Sequence, residues 1–168
     1  MPQFDGAALQ HCLHSLLVDA IQAMEGAGRT VCDFPDALPW EFTMDMARQV
    51  WDKARHVDIF MQLPAHVEGD LGEPLETAMA WRCAWAQTPE ERVAGVDRGL
   101  TGLSCDRFAQ LMELARQIGD PMIERALDCV LADDLTHVRI GSKWLRGLPA
   151  DAPERLRKTF EFQQSLAE

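Results

Sequence analysis

The sequence predicts an all-α fold, a bundle of four main helices with short extra helices. Three observations carry that prediction. Leu13, Leu16, Leu17, Ala20, Ile21 and Met24 recur at i, i+3, i+4, i+7 spacing, the apolar stripe of an amphipathic helix. Thr88-Pro89-Glu90-Glu91 and Gly119-Asp120-Pro121 each place a capping side chain directly before a proline suited to the first helical position. Alternating apolar and polar runs joined by tight-turn pairs do not occur, so hairpins are not expected.

The first helix is expected over residues 6–27, ending at Gly26 and Gly28. "CDFPDALPWEF" breaks the chain with two prolines and two aspartates, and Pro39 suits the first turn of a second helix over residues 39–63. Pro64 is expected to stop that helix, because proline carries no N–H for the ladder. "AHVEGDLGEP" then reads as a loop in which His66 stands with Glu68 and Asp70, followed by a shorter helix over residues 73–87. The third main helix starts at Pro89 and runs to about Ile118, weakened in its middle by Gly95, Gly99 and Gly102. A fourth spans Pro121 to about Leu145, closed by Gly147 and Pro149. Beyond Pro153, a mixed-charge stretch with Phe160 and Phe162 forms a short outer helix or tail. The expected organisation is therefore a helical bundle over residues 1–150 and a C-terminal piece over 151–168.

A chain of 168 residues, 47% of them apolar, can bury one domain's core without disulfides or metal staples. Its net charge of −11 repels a phosphate backbone and an anionic membrane surface, so neither nucleic acid nor membrane is expected as a partner. The start "MPQFDGAALQHC" lacks a basic segment leading into an apolar run, and no apolar stretch approaches the roughly 20 residues that span a bilayer. A cytoplasmic location is expected. The five cysteines are scattered, odd in number and free of any C-x-x-C pair, which argues against a disulfide framework and a thiolate zinc site. Small buried hydrophobes in a reducing compartment are the expected role.

The chemistry concentrates in two places. "MARQVWDKARHVDIF" puts Lys53 and His56 at i, i+3 on the second helix, and "DDLTHV" puts Asp134 and His137 at the same spacing on the fourth. Asp134 and His137 follow the stripe Ile123, Leu127, Val130, and Lys53 and His56 continue from Met46 and Gln49, so all four should face the interior. Two inward X-x-x-His pairs are the skeleton of a ferritin-like di-metal site, where Glu-x-x-His occurs twice and two further helices give one glutamate each.

"PWEFTMDMARQVWDKARH" and "DDLTHVRIGSKWLRGL" resemble the paired signature blocks of an uncharacterised bacterial ferritin-like family, with a typical form near PWEF-x-MDMARQ-x-WDEARH and EDE-x-x-HV-x-x-G-x-x-W. The resemblance covers residues 13–148. It implies a ferritin-like four-helix bundle and, at the family's ligand positions, a degraded metal site. The glutamates of the two pairs fall on Lys53 and on the shorter carboxylate Asp134. The third helix places Val96 at the next position, and the first places Ala20, with Asp19 one position away and Glu25 farther along as possible extra carboxylates. His56, Asp134 and His137 remain as candidate metal ligands.

Two divalent ions packed a few ångströms apart need local anionic neutralisation, so a full di-iron cluster is not expected here. Lys53 can instead supply the positive charge by pairing with Asp134 inside the bundle. It can also run its long stem to the surface. His11 and His14 read as a solvated face, Asp97-Arg98 as a helix-surface pair, and Trp51, Trp81, Trp85 and Trp144 as core or interface aromatics.

Two functions remain open at this point. One is a metal-poor or non-catalytic ferritin-like subunit that pairs as a homo- or heterodimer with a homologue, through an apolar patch carrying Trp40 or Trp81, or binds a small molecule in its cavity. The other is a non-haem iron oxidase or oxygenase holding a single iron or other divalent metal on His56, His137 and Asp134. Iron storage needs carboxylates this chain lacks.

Overall fold

In the computed structural model, residues 6–35, 39–67, 78–147 and 153–165 are described, and all regular structure among them is helical. The elements are α1 (Gly6–Asp33), α2 (Trp40–His66), α3 (Ala78–Ala84), α4 (Pro89–Val93), a π-helical segment (Ala94–Leu100), α5 (Thr101–Ile118), α6 (Pro121–Arg146) and α7 (Pro153–Ser165). The chain is thus an all-α helical bundle, and no helix among the described residues is long and apolar enough to cross a membrane. Residues 73–77 of the expected short helix lie outside the described residues; α3 covers its later part.

Side-chain pairs fix the topology. Gln10 Nε2 donates to the carbonyl of Val67 (3.2 Å), joining the start of α1 to the end of α2. Lys143 pairs with Asp45 and Lys53 with Asp134, so α6 also runs opposite to α2. Val93 and Ala94 pack with Phe42 and Met46 at the start of α2, whereas Phe108, Met112 and Ala115 pack with Phe60 and Leu63 at its end. Hence α4, the π segment and α5 form one path parallel to α2. The bundle is up, down, down, up, with one long crossover between its second and third long helices.

Both proline-marked boundaries behave as capping chemistry requires. Thr88 accepts from the N–H of Glu91 (3.2 Å), and Asp120 accepts from Met122 and Ile123 at 3.0 and 3.1 Å. Gly119, at φ 75°, takes the left-handed turn that releases α5 into α6.

Two expected ends move. α1 runs through Gly26 and Gly28 to Asp33, because tertiary packing outweighs the intrinsic cost of glycine. Gly26 sits against the π segment: a Cβ there would stand 3.4 Å from Val96 Cγ2, a close but ordinary contact. α2 runs past Pro64 to His66, with Val67 N–H still bonded to the Leu63 carbonyl (3.2 Å), so His66 ends a helix instead of lying in a loop. Pro64 lies in the last turn of α2, where its missing donor and the crowding of its ring against the carbonyl four residues back disturb only the end of the ladder.

The core is layered. One apolar cluster joins Leu13, Leu16, Phe60, Phe108, Ile123, Leu127 and Val130; a second joins Phe42, Met46, Val93, Ala94 and Leu145. Between them lies a buried polar layer of Gln49, Asp52, Lys53, His56, Asp97, Thr101, Asp134 and His137. Trp51, Trp81 and Trp85 are exposed, so of the two roles expected for them, core or interface, the core one does not hold; Trp85 lies under the Arg29 guanidinium and Trp51 near those of Arg48 and Arg55. Cys83 is buried as expected, but Cys32 and Cys129 are exposed.

Candidate functional site: a charged layer beside a cavity

The polar layer is built by residues one helical turn apart. On α2, Gln49, Asp52, Lys53 and His56 follow Met46 inward; on α6, Asp134 and His137 follow Val130. Lys53, 6% exposed, points into the bundle, and its Nζ lies 2.7 Å from Oδ1 of the fully buried Asp134. The alternative in which Lys53 reaches solvent is thereby excluded. Burial alone would raise the Asp134 carboxyl, but the Lys53 ammonium and the flanking imidazoles hold it below the ordinary carboxylate value.

Both histidines are fully buried and both are oriented by a carboxylate. His56 Nε2 stands 3.1 Å from Asp133 Oδ2, and His137 Nε2 stands 3.2 Å from Asp52 Oδ2. A carboxylate only accepts, so each Nε2 carries a hydrogen; in His56, whose pKa is lowered, the neutral ring leaves Nδ1 bare. The two Nδ1 atoms lie 3.7 Å (His56) and 3.2 Å (His137) from Asp134 Oδ1, outside hydrogen-bonding geometry, and have no other partner. Arg48 holds Asp52 through Nε at 3.0 and 2.9 Å, and Arg55 clasps Asp133. Burial first, and then the Lys53 charge, lower the pKa of His56.

Asp97 corrects a second expectation. It is 1% exposed, not a surface partner of Arg98, and Gln49 Nε2 donates to its Oδ2 at 3.3 Å. Residues 92–97, the end of α4 and the start of the π segment, are buried without interruption because this stretch is packed on every side. Burial pushes the Asp97 carboxyl up to about 7. Gly141 on α6 makes room for it: a Cβ there would meet Asp97 Cβ at 2.5 Å.

A partly open cavity of about 450 Å³ adjoins the layer. Leu16, Ala20, Phe60, Leu100, Leu103 and Phe108 wall it, and Lys53, His56, Thr101 and Asp134 contribute its polar lining. Asp19 also lines it, but Arg107 Nη1 holds its carboxylate at 2.8 Å. Burial raises the Asp19 carboxyl, and Arg107 opposes that. Glu25, the other expected carboxylate, is exposed and does not line the cavity, because it falls off the Leu13, Leu16, Ala20 stripe.

The structure therefore brings Lys53, His56, Asp134 and His137 together, sets Asp19 at the cavity wall and turns Glu25 away. Sequence reasoning missed Asp52, Asp133, Asp97 and Thr101. The first two had a signal, acidic neighbours directly beside Lys53 and Asp134. Among the described residues, no group of three His, Cys, Asp or Glu side chains is arranged to hold a metal ion.

Fold and site define the class: an all-α bundle with a histidine and carboxylate layer closed by a lysine. Over residues 5–167 the chain matches the model of a family described as a protein of unknown function, DUF455, and it belongs to that family. No curated protein and no solved structure matches the chain.

Proposed function

We propose that this chain is a metal-independent ferritin-like bundle protein, in which the Lys53–Asp134 ion pair stands where a di-metal centre would, and whose cavity holds a small molecule. The topology supports the ferritin-like part: an up, down, down, up bundle with one crossover and two X-x-x-His pairs on facing helices. The oriented imidazoles support descent from a metal site, since metal-binding histidines ordinarily give their other nitrogen to a carboxylate.

The observation that carries the metal-free part is the 2.7 Å contact between Lys53 Nζ and Asp134 Oδ1. An ammonium there spends the one buried carboxylate shared by both histidines, and it repels any cation placed a few ångströms away. Val96 and Ala20, at the other two expected ligand positions, are apolar and buried. Two divalent ions do not fit these residues. Pairing with a second copy or with a metal-competent homologue belongs to the same proposal, with the exposed Trp40 and Trp81 as contact points.

A second reading has its own observation. His56 Nδ1, His137 Nδ1 and Asp134 Oδ2 all lack hydrogen-bond partners, and two histidines with one carboxylate are the residue types of a mononuclear iron site, although the three are not arranged around a common point as they stand. Elemental analysis of protein purified after growth with iron, manganese or zinc separates the two. The metal-independent protein carries well under one equivalent; one tightly bound ion favours the oxygenase, and two defeat both.

A further inference from the structure

We propose that the cavity beside Lys53 and Asp134 binds an uncharged molecule that carries a primary amide or urea head on an apolar body; this rests on the metal-independent reading above. Three buried side-chain atoms on its lining residues have no hydrogen-bond partner: Asp134 Oδ2, His56 Nδ1 and Thr101 Oγ1. Their residues are 0%, 0% and 2% exposed. Each such orphan costs about 1–3 kcal/mol, and all three belong to residues that line the cavity, so a ligand settling there can complete their bonding.

The character of each atom selects the head group. Asp134 Oδ2 belongs to an ion-paired carboxylate and can only accept. His56 Nδ1 is the bare nitrogen of a ring whose Nε2–H faces Asp133, and it too can only accept. Thr101 Oγ1 can do either. Lys53 has N–H groups beyond the one directed at Asp134, and these want an acceptor. The ligand must therefore present two donors and one acceptor at close quarters. A primary amide or urea has that pattern in one planar group.

Charge excludes the obvious competitors. A carboxylate has no donor and would face Asp134. An ammonium has donors but no acceptor, and would face Lys53. Beyond the head, Leu16, Phe60, Leu100, Leu103 and Phe108 offer an apolar channel, and about 450 Å³ lies in the range of small-molecule sites.

Fluorine NMR titration of the full chain with para-fluorobenzamide, para-fluorobenzoate and para-fluorobenzylamine tests this. Saturable binding of the amide is expected, with the acid and amine each about tenfold weaker or more, the worth of one lost hydrogen bond to a charged group. Thr101→Val should weaken the amide by about fivefold to tenfold. Leu103→Trp, at a half-exposed position of the lining, should block it while leaving the fold intact. Equal binding of all three probes, no saturable binding of the amide, or unchanged amide affinity in Leu103→Trp overturns the proposal. Elemental analysis of the same samples keeps the failures apart: bound metal contradicts the metal-independent reading, whereas a metal-free protein blind to the amide sinks this inference alone.

Discussion

Lys53 Nζ and Asp134 Oδ1 meet at 2.7 Å between two apolar clusters, with the side chains 7% and 0% exposed. A buried pair of this kind adds little net stability over an apolar replacement, but removing one partner strands a charge. Lys53→Met should therefore cost about 3–5 kcal/mol in urea unfolding, and Lys53→Met with Asp134→Leu should recover most of it. If the double variant is no better than the single one, the pair is not the reason these residues are tolerated.

Asp97 predicts a pH dependence of definite sign. Its carboxyl sits near 7 in the fold against 3.8 ordinarily, because burial disfavours the charged form. Its contribution is fully present below about pH 4 and is lost as pH rises through 7, since the unfolded chain ionises first. Asp97→Asn should stabilise the protein at pH 8 by on the order of 2–4 kcal/mol and leave it nearly unchanged at pH 4. Denaturation midpoints at the two values check this; equal shifts at both would contradict it.

His56 works in the opposite direction. Its pKa lies below the ordinary 6.5, chiefly through burial and then through Lys53. Its contribution is present above 6.5 and is lost on acidification, when the unfolded chain binds a proton the folded one refuses. His56→Gln should flatten that loss of stability between pH 7 and 5, measured against wild type by the same unfolding curves.

Gly141 is required by close approach. A Cβ 2.5 Å from Asp97 Cβ cannot be absorbed without moving α6 from the π segment. Gly141→Ala should cost about 1–3 kcal/mol, as overpacking does, despite alanine's better helix propensity. Gly102, whose Cβ would meet nothing within 4 Å, is the control: Gly102→Ala should be stabilising by up to about 1 kcal/mol.

The Asp120 cap makes two side-chain to backbone bonds at the start of α6. Asp120→Ala should lower stability by about 1 kcal/mol, and Asp120→Ser should restore most of it. Thermal melts decide it; no difference between alanine and serine would remove the capping explanation.

Much of this was legible because it is local. Thr88 and Asp120 declare their helices through caps and following prolines, and the spacing of Asp134 and His137 fixes their common face. What was not legible came from elsewhere in the chain. Gly26 fails to end α1 because Val96 packs over it, and Pro64 fails to end α2 because it lies in the last turn, where it disturbs only the end of the ladder. Asp97 was misread because the π segment changes the phase on which inward and outward positions are counted. Asp52 and Asp133 orient the buried histidines through partners 85 and 77 residues away.

Anomalous diffraction from crystals grown with iron or manganese, recorded at the metal edge, tests the central claim most directly. The result predicted is density for Lys53 running to Asp134 and no anomalous peak between His56 and His137. Two peaks a few ångströms apart at that position, with the lysine turned away, would contradict it.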